Sequence, residues 1–481
     1  MNTYLWEWLP HKERYLSVIL DMEAPPSPRV CVSCGRDGSY RCIDCAHLPL
    51  FCMACCRNQH MLQPFHRVQQ WNAVFFEDSS LRLAGLVVHL GHGGDPCPSG
   101  GHMEAEFSND VEDEEHDLRD MVGDIPPAHL KVPKVHTSRV QFCDVMYCNC
   151  QGSEDSHIQL MMAGLFPVTT KEPRTVFTFQ VLNDFIRDNV ECGTLAMNYY
   201  SKLHQITSNA FPHLVPDRYR ELLRVSWMWQ LFKLMKWNGV DNQAANPSSG
   251  DLVLFFPACP QPGVNILETK ANLSHWKFSR SIVMDGNFKA EHMRPRNPAE
   301  EVWLMDGRGF MVGSRKYKEY LVGTQSECSN HQAVNQANAT RKQLASTGIG
   351  GCACARHGCF IPYAMVDFQK GEQQVNMDYA LVHVVQHMLD PQQQVISFYD
   401  INCQYSRNLA HQLNSNPFIS LPEGLCMVRS WKLWSSLNII SPSARGMATP
   451  HQQELLDFQM NDSNFLKMAW MHEWKQHDLG N

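Results

Sequence analysis

The chain has 481 residues, 44 % hydrophobic and 10 % aromatic, a globular composition too long for one core, so about three domains are expected. Its formal net charge of −8 excludes a bulk-basic nucleic-acid binder, and any grip on phosphates needs a local basic face. No apolar run reaches the ~18 residues of a spanning helix, and residues 1–10 lack the basic and apolar regions of a secretory signal, so neither a membrane partner nor secretion is expected.

Residues 1–27 read as a lead-in with one short helix over 12–22, ended by Pro25-Pro26. Residues 28–70 form a cysteine comb: Cys31-x2-Cys34, Cys42-x2-Cys45, Cys52-x2-Cys55, then His60 and His66. Without a secretory signal, clustered cysteines at two-residue gaps indicate metal rather than disulfides. A two-residue gap lets both thiolates of a knuckle reach one ion, and eight ligands make two tetrahedral zinc sites. Interleaved pairing is expected, with Cys31, Cys34, Cys52 and Cys55 on one ion and Cys42, Cys45, His60 and His66 on the other. Cys56 is an alternative to Cys55. The arrangement resembles a B-box or other cross-brace finger, and metal would supply much of its folding energy.

Residues 71–150 read as β-rich, with strands expected within 81–90 and from Arg139. Between them, residues 104–120 hold nine acidic side chains and read as a solvated or disordered loop, or a partner-binding tail. Cys143, Cys148 and Cys150, with His136 and Cys97, form a weaker metal candidate whose alternative is buried free thiols. Residues 151–250 read as helical, over 175–189 and 218–237. In the second, Trp227, Trp229 and Trp237 are expected to serve the core. Residues 242–250 are a linker by composition. The remainder, 251–481, is expected to open with strands, insert a polar helical stretch around 328–350, return to strand near 395 and close with helices. Cys352, Cys354, His357 and Cys359 pack four soft ligands together, either as a third zinc site or as a packed loop.

Two runs of β-formers each deliver an aspartate at their polar end: Ser281-Ile-Val-Met-Asp285 and Val395-Ile-Ser-Phe-Tyr-Asp400. Two such carboxylates on neighbouring strands would repel unless a divalent cation lay between them, the layout of two-metal phosphoryl-transfer sites. The alternative is that both cap turns.

With these features in place, the chain resembles the Kyakuja–Dileera–Zisupton (KDZ) transposases of fungi, in the form carrying a CxC-type cysteine cluster. The resemblance rests on the comb, Leu90-Gly-His92 with Cys97-Pro98, Pro173-Arg-Thr-Val-Phe-Thr-Phe179, Cys259-Pro260, Asp285-Gly-Asn-Phe288, Lys370-Gly-Glu372, Asn376-Met-Asp378-Tyr379 and Tyr399-Asp400. It implies an α+β multidomain protein: an N-terminal zinc-binding cysteine cluster, a β-rich and helical middle, and a C-terminal RNase H-like α/β domain over 251–481. It further implies DNA strand cleavage and transfer by a DDE-type site, with Asp285 and Asp400 as the first two carboxylates holding Mg²⁺ or Mn²⁺. Transposon ends and target DNA follow as partners and the nucleus as location; a homo-oligomer is compatible.

The sequence departs from the family at the third carboxylate. No Asp-Gly-Glu occurs between 400 and 440, and Trp431 and Lys432 stand where the family has Glu and Arg. The expectation is therefore a defective transposase, or a non-enzymatic zinc-module relic that binds DNA or protein. Phosphate contacts are expected from Arg294 and Arg296 first, then from the group around Lys316 (Arg315, Lys318) and from Lys131, Lys134 and Arg139.

Overall fold

The computed structural model describes residues 2–99, 131–136, 139–240, 247–266, 275–294, 301–323, 344–369, 371–386, 393–400, 425–428 and 447–478, together with Leu273, Asn297, Ala299, Tyr405, Leu409 and Ile419. It divides into two compact units, Met1–Phe185 with Ala196–Val225, and Ile186–Leu195 with Ser226–Asn481.

The first unit begins with α1 (Asn2–Trp8) and α2 (Lys12–Asp21), joined by a 3₁₀ turn at Leu9–His11, so the expected lead-in helix has a second helix before it. The comb folds as β1 (Tyr40–Cys42), β2 (Leu50–Phe51), α3 (Met53–Gln59), β3 (Val68–Trp71) and β4 (Phe76–Ser79). These strands form an antiparallel sheet ordered β2-β1-β3-β4, with Tyr40 paired to both Phe51 and Gln70. Its core is small: Tyr40, Phe51, Val68, Leu81 and Leu86 close around Cys31, Cys42 and Cys56. So little apolar surface offsets only part of the chain's conformational entropy, and a bound metal ion would add to the order.

A second sheet follows, built from β5 (Val87–His89), β6 (Lys131–His136), β7 (Arg139–Met146), β8 (Leu165–Pro167) and β9 (Val176–Thr178), in the order β5-β7-β6-β9-β8. α4 (Ser156–Met162) precedes β8, and α5 (Phe179–Cys192), α6 (Ala196–Thr207) and α7 (Tyr219–Trp237) follow β9. The helix expected from residue 175 starts only at Phe179. Val176-Phe-Thr178 is instead a fully buried strand between β6 and β8, where β-branched and aromatic side chains pack better than on a helix.

The second unit centres on a five-stranded sheet of β10 (Arg280–Asn287), β13 (Ile349–Cys354), β14 (Phe360–Asp367), β15 (Val395–Tyr399) and β16 (Leu425–Val428). A short ladder of β11 (His292–Met293) and β12 (Leu344–Ser346) lies apart from it. The sheet order is β14-β13-β10-β15-β16: the first three strands are antiparallel, and β15 and β16 run parallel to β10. Residues 344–346 and 349–354 are therefore strands, correcting the helical expectation that reached to 350. Its earlier part lies outside the described residues.

Both faces of the sheet are covered. Ile282, Met284, Val395 and Tyr399 pack with α9 (Gln374–Gln386), and the intervening Val283 and Phe398 pack with α10 (Thr449–Asp478). A third helix, α8 (Ser314–Gly323), buries Tyr317 and Tyr320 in the α9 layer and exposes its basic residues. Burial on both faces explains why β10 and β15 read as nearly unbroken apolar runs.

The first half of α10 is buried yet polar. Glu454 accepts from the Leu304 and Met305 amides at 2.9 and 2.8 Å and from Trp227 Nε1 at 2.7 Å. Asp457 accepts from the Phe310 and Met311 amides, both at 2.8 Å, and Asn461 from Leu254 at 2.7 Å. Asn464 both accepts from and donates to the Phe360 backbone at 2.9 Å. These positions share one helical stripe, so α10 serves as a receptor for loop amides that have no strand partner. Trp227 also stacks on His451 at 4.8 Å, in keeping with the core role expected for it, whereas Trp237 is about half exposed.

Burial raises the Asp457 pKa well above the usual carboxylate range, so a neutral side chain suits the site. Asp457→Ala is expected to cost about 3 kcal/mol by orphaning two buried amides, and Asp457→Asn less than half of that. Urea unfolding followed by tryptophan fluorescence measures both.

Candidate functional site

The comb's spacing becomes two donor sets. Cys31, Cys34, Cys52 and Cys55 form one, and Cys42, Cys45, His60 and His66 the other; within each set all ligand atoms lie within 4.8 Å of one another. In the second, Cys45 Sγ stands 3.5 Å from His60 Nε2 and 3.4 Å from His66 Nδ1. His60 Nδ1 donates to the Cys56 carbonyl at 2.7 Å, which fixes the tautomer and leaves Nε2 for a metal. Asp44, inside the Cys42–Cys45 knuckle, accepts from the Arg67 amide at 2.6 Å and its Nη2 at 2.7 Å, drawing neighbouring His66 onto the knuckle. Cys56 is buried in the small core outside the donor sets, so Cys55 is the grouped residue. The crowding shows in the thiols: Arg36 draws Cys34 down to about 6, while Cys52 and then Cys34 push Cys55 up to about 12. Such a set is compatible with zinc.

A third set joins His92, Cys97, Cys148 and Cys150, with His92 Nε2 at 3.2 Å from Cys148 Sγ and 3.4 Å from Cys150 Sγ. The sequence reading held Cys97, Cys148 and Cys150 but chose Cys143 and His136 beside them. Cys143 lies in β7, outside the donor set, and His92 takes part instead. The Leu90-Gly-His92 motif carried that signal. Gly91 has φ +84°, and a Cβ there would stand 3.0 Å from Cys148 Cβ, so only glycine lets the two segments close. The fourth set is Cys259, Cys354 and His357. Cys352, expected here, packs instead in the core facing α9, its thiol pushed up by burial, and Cys359 lies beside the set without joining it.

Asp285 lies within the central strand β10, paired with Gly351 of β13, and β10 continues two residues beyond it; Asp400 directly follows β15. Met284 of β10 pairs with Tyr399 of β15, so Asp285 and Asp400 are the next residues along neighbouring parallel strands, which run about 4.8 Å apart. Asp285 is half-buried, its Oδ1 accepting from the Gly286 amide at 2.8 Å, and Asp400 is exposed.

A third carboxylate, missed in the sequence reading, belongs to Glu372, two residues ahead of α9. It accepts a hydrogen bond from the Tyr399 hydroxyl. A Cβ on Gly286 would stand 2.8 Å from Glu372 Oε2, which places Glu372 against the residue after Asp285. Burial, then the charges of Asp400 and Asp285, raise its pKa to about 7, opposed by the Tyr399 bond. Behind it, the Asp378 carboxylate accepts from the Tyr405 hydroxyl at 2.6 Å and is raised by burial to about 7. Both glutamate and aspartate belong to motifs quoted for the resemblance, Lys370-Gly-Glu372 and Asn376-Met-Asp378. Among the described residues these carboxylates do not form a group of three or more ligand atoms within 4.8 Å of one another, as the cysteine and histidine sets do.

Of the basic candidates, Arg294 is exposed just past β11, its Nε donating to the Leu344 carbonyl at 3.1 Å, and Lys316 is exposed on α8. Arg139 is spent within the fold, donating to the Ser79 carbonyl at 3.1 Å, and is no phosphate contact. Arg296, Trp431, Lys432 and the side chains of Lys131 and Lys134 lie outside the described residues. Among the described residues, no helix is long and apolar enough to cross a membrane.

Neighbouring parallel strands that carry Asp285 and lead to Asp400 thus occur in a chain that also gathers cysteine and histidine donor sets. Residues 278–431 match the family model of the Kyakuja-Dileera-Zisupton (KDZ) transposase, and residues 116–210 match that of the CxC2 like cysteine cluster associated with KDZ transposases. The chain thus carries a KDZ transposase domain and the cysteine cluster that accompanies it. The second match begins beyond the comb, and of the four donor sets it reaches only the one containing Cys148 and Cys150. No curated protein and no solved structure matches the chain.

Two outcomes test the geometry. Cys45→Ser and His60→Ala are each expected to remove one equivalent of zinc per chain, counted by plasma mass spectrometry. Glu372 has its pKa raised on folding, so its favourable contribution is complete below about pH 4.5 and is lost as pH rises through about 7. Without divalent ions, Glu372→Gln should therefore be more stable than the parent at pH 8, by on the order of 2 kcal/mol, with the gap closing at pH 5. Added Mn²⁺ should raise the parent's melting temperature at pH 8 and leave that of the variant nearly unchanged.

Proposed function

We propose that the chain is a metal-dependent DNA-nicking protein of transposon origin, in which Asp285, Asp400 and Glu372 are the carboxylates of the cutting site. The observation that carries this reading is the pairing of Met284 with Tyr399, which makes Asp285 and Asp400 the next residues along neighbouring strands, with Glu372 hydrogen-bonded to the same Tyr399. The sheet order supports an RNase H-like domain, since the first strand neighbours the fourth and runs parallel to it.

Bound Mg²⁺ or Mn²⁺ would activate the attacking oxygen and stabilise the leaving one. The chain's own groups prepare that chemistry. The Gly286 amide orients Asp285 and the Tyr399 hydroxyl orients Glu372. Exposed Arg294 and Lys316 offer positive charge for the sugar–phosphate backbone, and Arg296 is retained as a third such group on sequence grounds. The donor sets of the comb and of Cys148 would hold structural zinc, because all four positions of each are protein ligands.

Glu372 replaces the missing third carboxylate in number but not in chain position. Strand nicking is accordingly retained, while joining of transposon ends to target DNA is impaired for want of the Asp-Gly-Glu segment. That missing segment also favours a second reading, a relic that binds DNA or protein through its zinc modules without cutting.

Purified full-length protein should nick supercoiled plasmid in Mg²⁺ or Mn²⁺. Asp285→Ala and Asp400→Ala should abolish nicking and Glu372→Gln reduce it at least ~100-fold, all with unchanged zinc content. Nicking that survives Asp285→Ala would refute the cutting site; binding without nicking would establish the second reading.

A further inference from the structure

Cys259, Cys354 and His357 come from separate parts of the second unit, yet their ligand atoms all lie within 4.8 Å of one another. His357 Nδ1 stands 3.2 Å from Cys354 Sγ and 3.6 Å from Cys259 Sγ, so one ring nitrogen faces two thiols. Cys259 and Cys354 are nearly inaccessible to solvent, and Cys359, fully buried, packs in the same cluster with Phe256.

Both arms are built rather than incidental. On one side the Cys354 amide donates to the Cys359 carbonyl at 2.8 Å and the Gly358 amide to the Cys354 carbonyl at 2.7 Å, closing a tight knuckle with His357 inside it. On the other, Asn265 holds the Cys259 loop. Its Nδ2 donates to the Pro257 and Cys259 carbonyls at 2.6 and 2.7 Å, and its Oδ1 accepts from the Gln261 amide at 2.8 Å. The guanidinium of Arg280, itself only 5 % exposed, borders the same small cavity as Cys259 and Cys354. A buried cation there is costly unless negative charge stands near it, and thiolates supply that charge.

We propose that Cys259, Cys354 and His357 hold a zinc ion that ties the fold together. Two sulfurs and one imidazole nitrogen are soft donors of the kind that zinc takes. The centre would tie the Cys259 loop to the β13–β14 knuckle. That knuckle in turn grips the entry to β10, where the Ala355 amide donates to the Ser281 carbonyl at 2.8 Å and Arg356 donates to the Trp276 carbonyl at 3.2 Å. Zinc here would anchor the strand that carries Asp285 by its opposite end. The proposal concerns metal content and holds whether or not the carboxylate site cuts DNA.

The test is zinc stoichiometry of the full-length chain together with thiol mapping. Cys259→Ser and His357→Ala should each lose one zinc equivalent relative to the parent, while Cys352→Ala should lose none. In the unsubstituted chain, iodoacetamide should label Cys259 and Cys354 only after chelation, with added zinc restoring protection; this arm needs no variant to fold. Unchanged zinc in Cys259→Ser, loss in a folded Cys352→Ala, or labelling indifferent to chelator would each overturn the assignment.

Discussion

The parallel pairing of β10 with β15 is the constraint on which the second unit turns. Both strands are buried on two faces, and with Met284 opposite Tyr399 a slip of one residue would move every side chain to the wrong layer. Register is therefore held by the whole core, and the two aspartates inherit it. Neither carboxylate could secure this position by itself, because ionised oxygens side by side repel. Packing imposes the juxtaposition, and the cost is expressed in Glu372, held away from its ordinary acidity by burial and by both aspartate charges.

What was legible in the sequence follows the range of the interactions. The comb could be read to the level of ligand pairs because each knuckle is local and three knuckles in succession leave few pairings. The strands that carry Asp285 and lead to Asp400 announced themselves as apolar runs, and their adjacency followed from the resemblance, although β10 continues past Asp285 to Asn287. Long-range partners were not legible. Cys259 stands far along the chain from Cys354, and Cys352 looked the better ligand because it was nearer in sequence. Glu372 was visible only as a motif residue, since its role depends on Tyr399 and on the glycine after Asp285.

Helix α10 shows a different limit. Its first turns are rich in Gln, Glu, Asp and Asn, which a pattern reading assigns to solvent, yet from His451 to Asn464 the helix is buried. The polar groups are inside because the loops around Met305, Phe310 and Leu254 bring amides with no ladder partner. Polarity in a buried helix is then a property of the backbone packed against it. The strand at Val176–Thr178 makes the converse point: a segment with helical spacing became a strand because β6 and β8 flank it.

The donor chemistry also sorts the proposed metals. Among the described residues the four donor sets offer only thiol sulfur and imidazole nitrogen, the first of them sulfur alone, whereas Asp285, Glu372 and Asp400 offer carboxylate oxygens. Zinc binds most ligands more tightly than magnesium does, so a site that must take magnesium cannot rely on affinity alone. Oxygen-only ligation weakens the competition, and soft donors elsewhere in the chain offer zinc better places to go. On this argument the cysteine clusters and the proposed carboxylate site would be complementary: the soft sites would take the metal that gives structure, and the hard site would be left for an exchangeable ion that needs a phosphate to complete its shell.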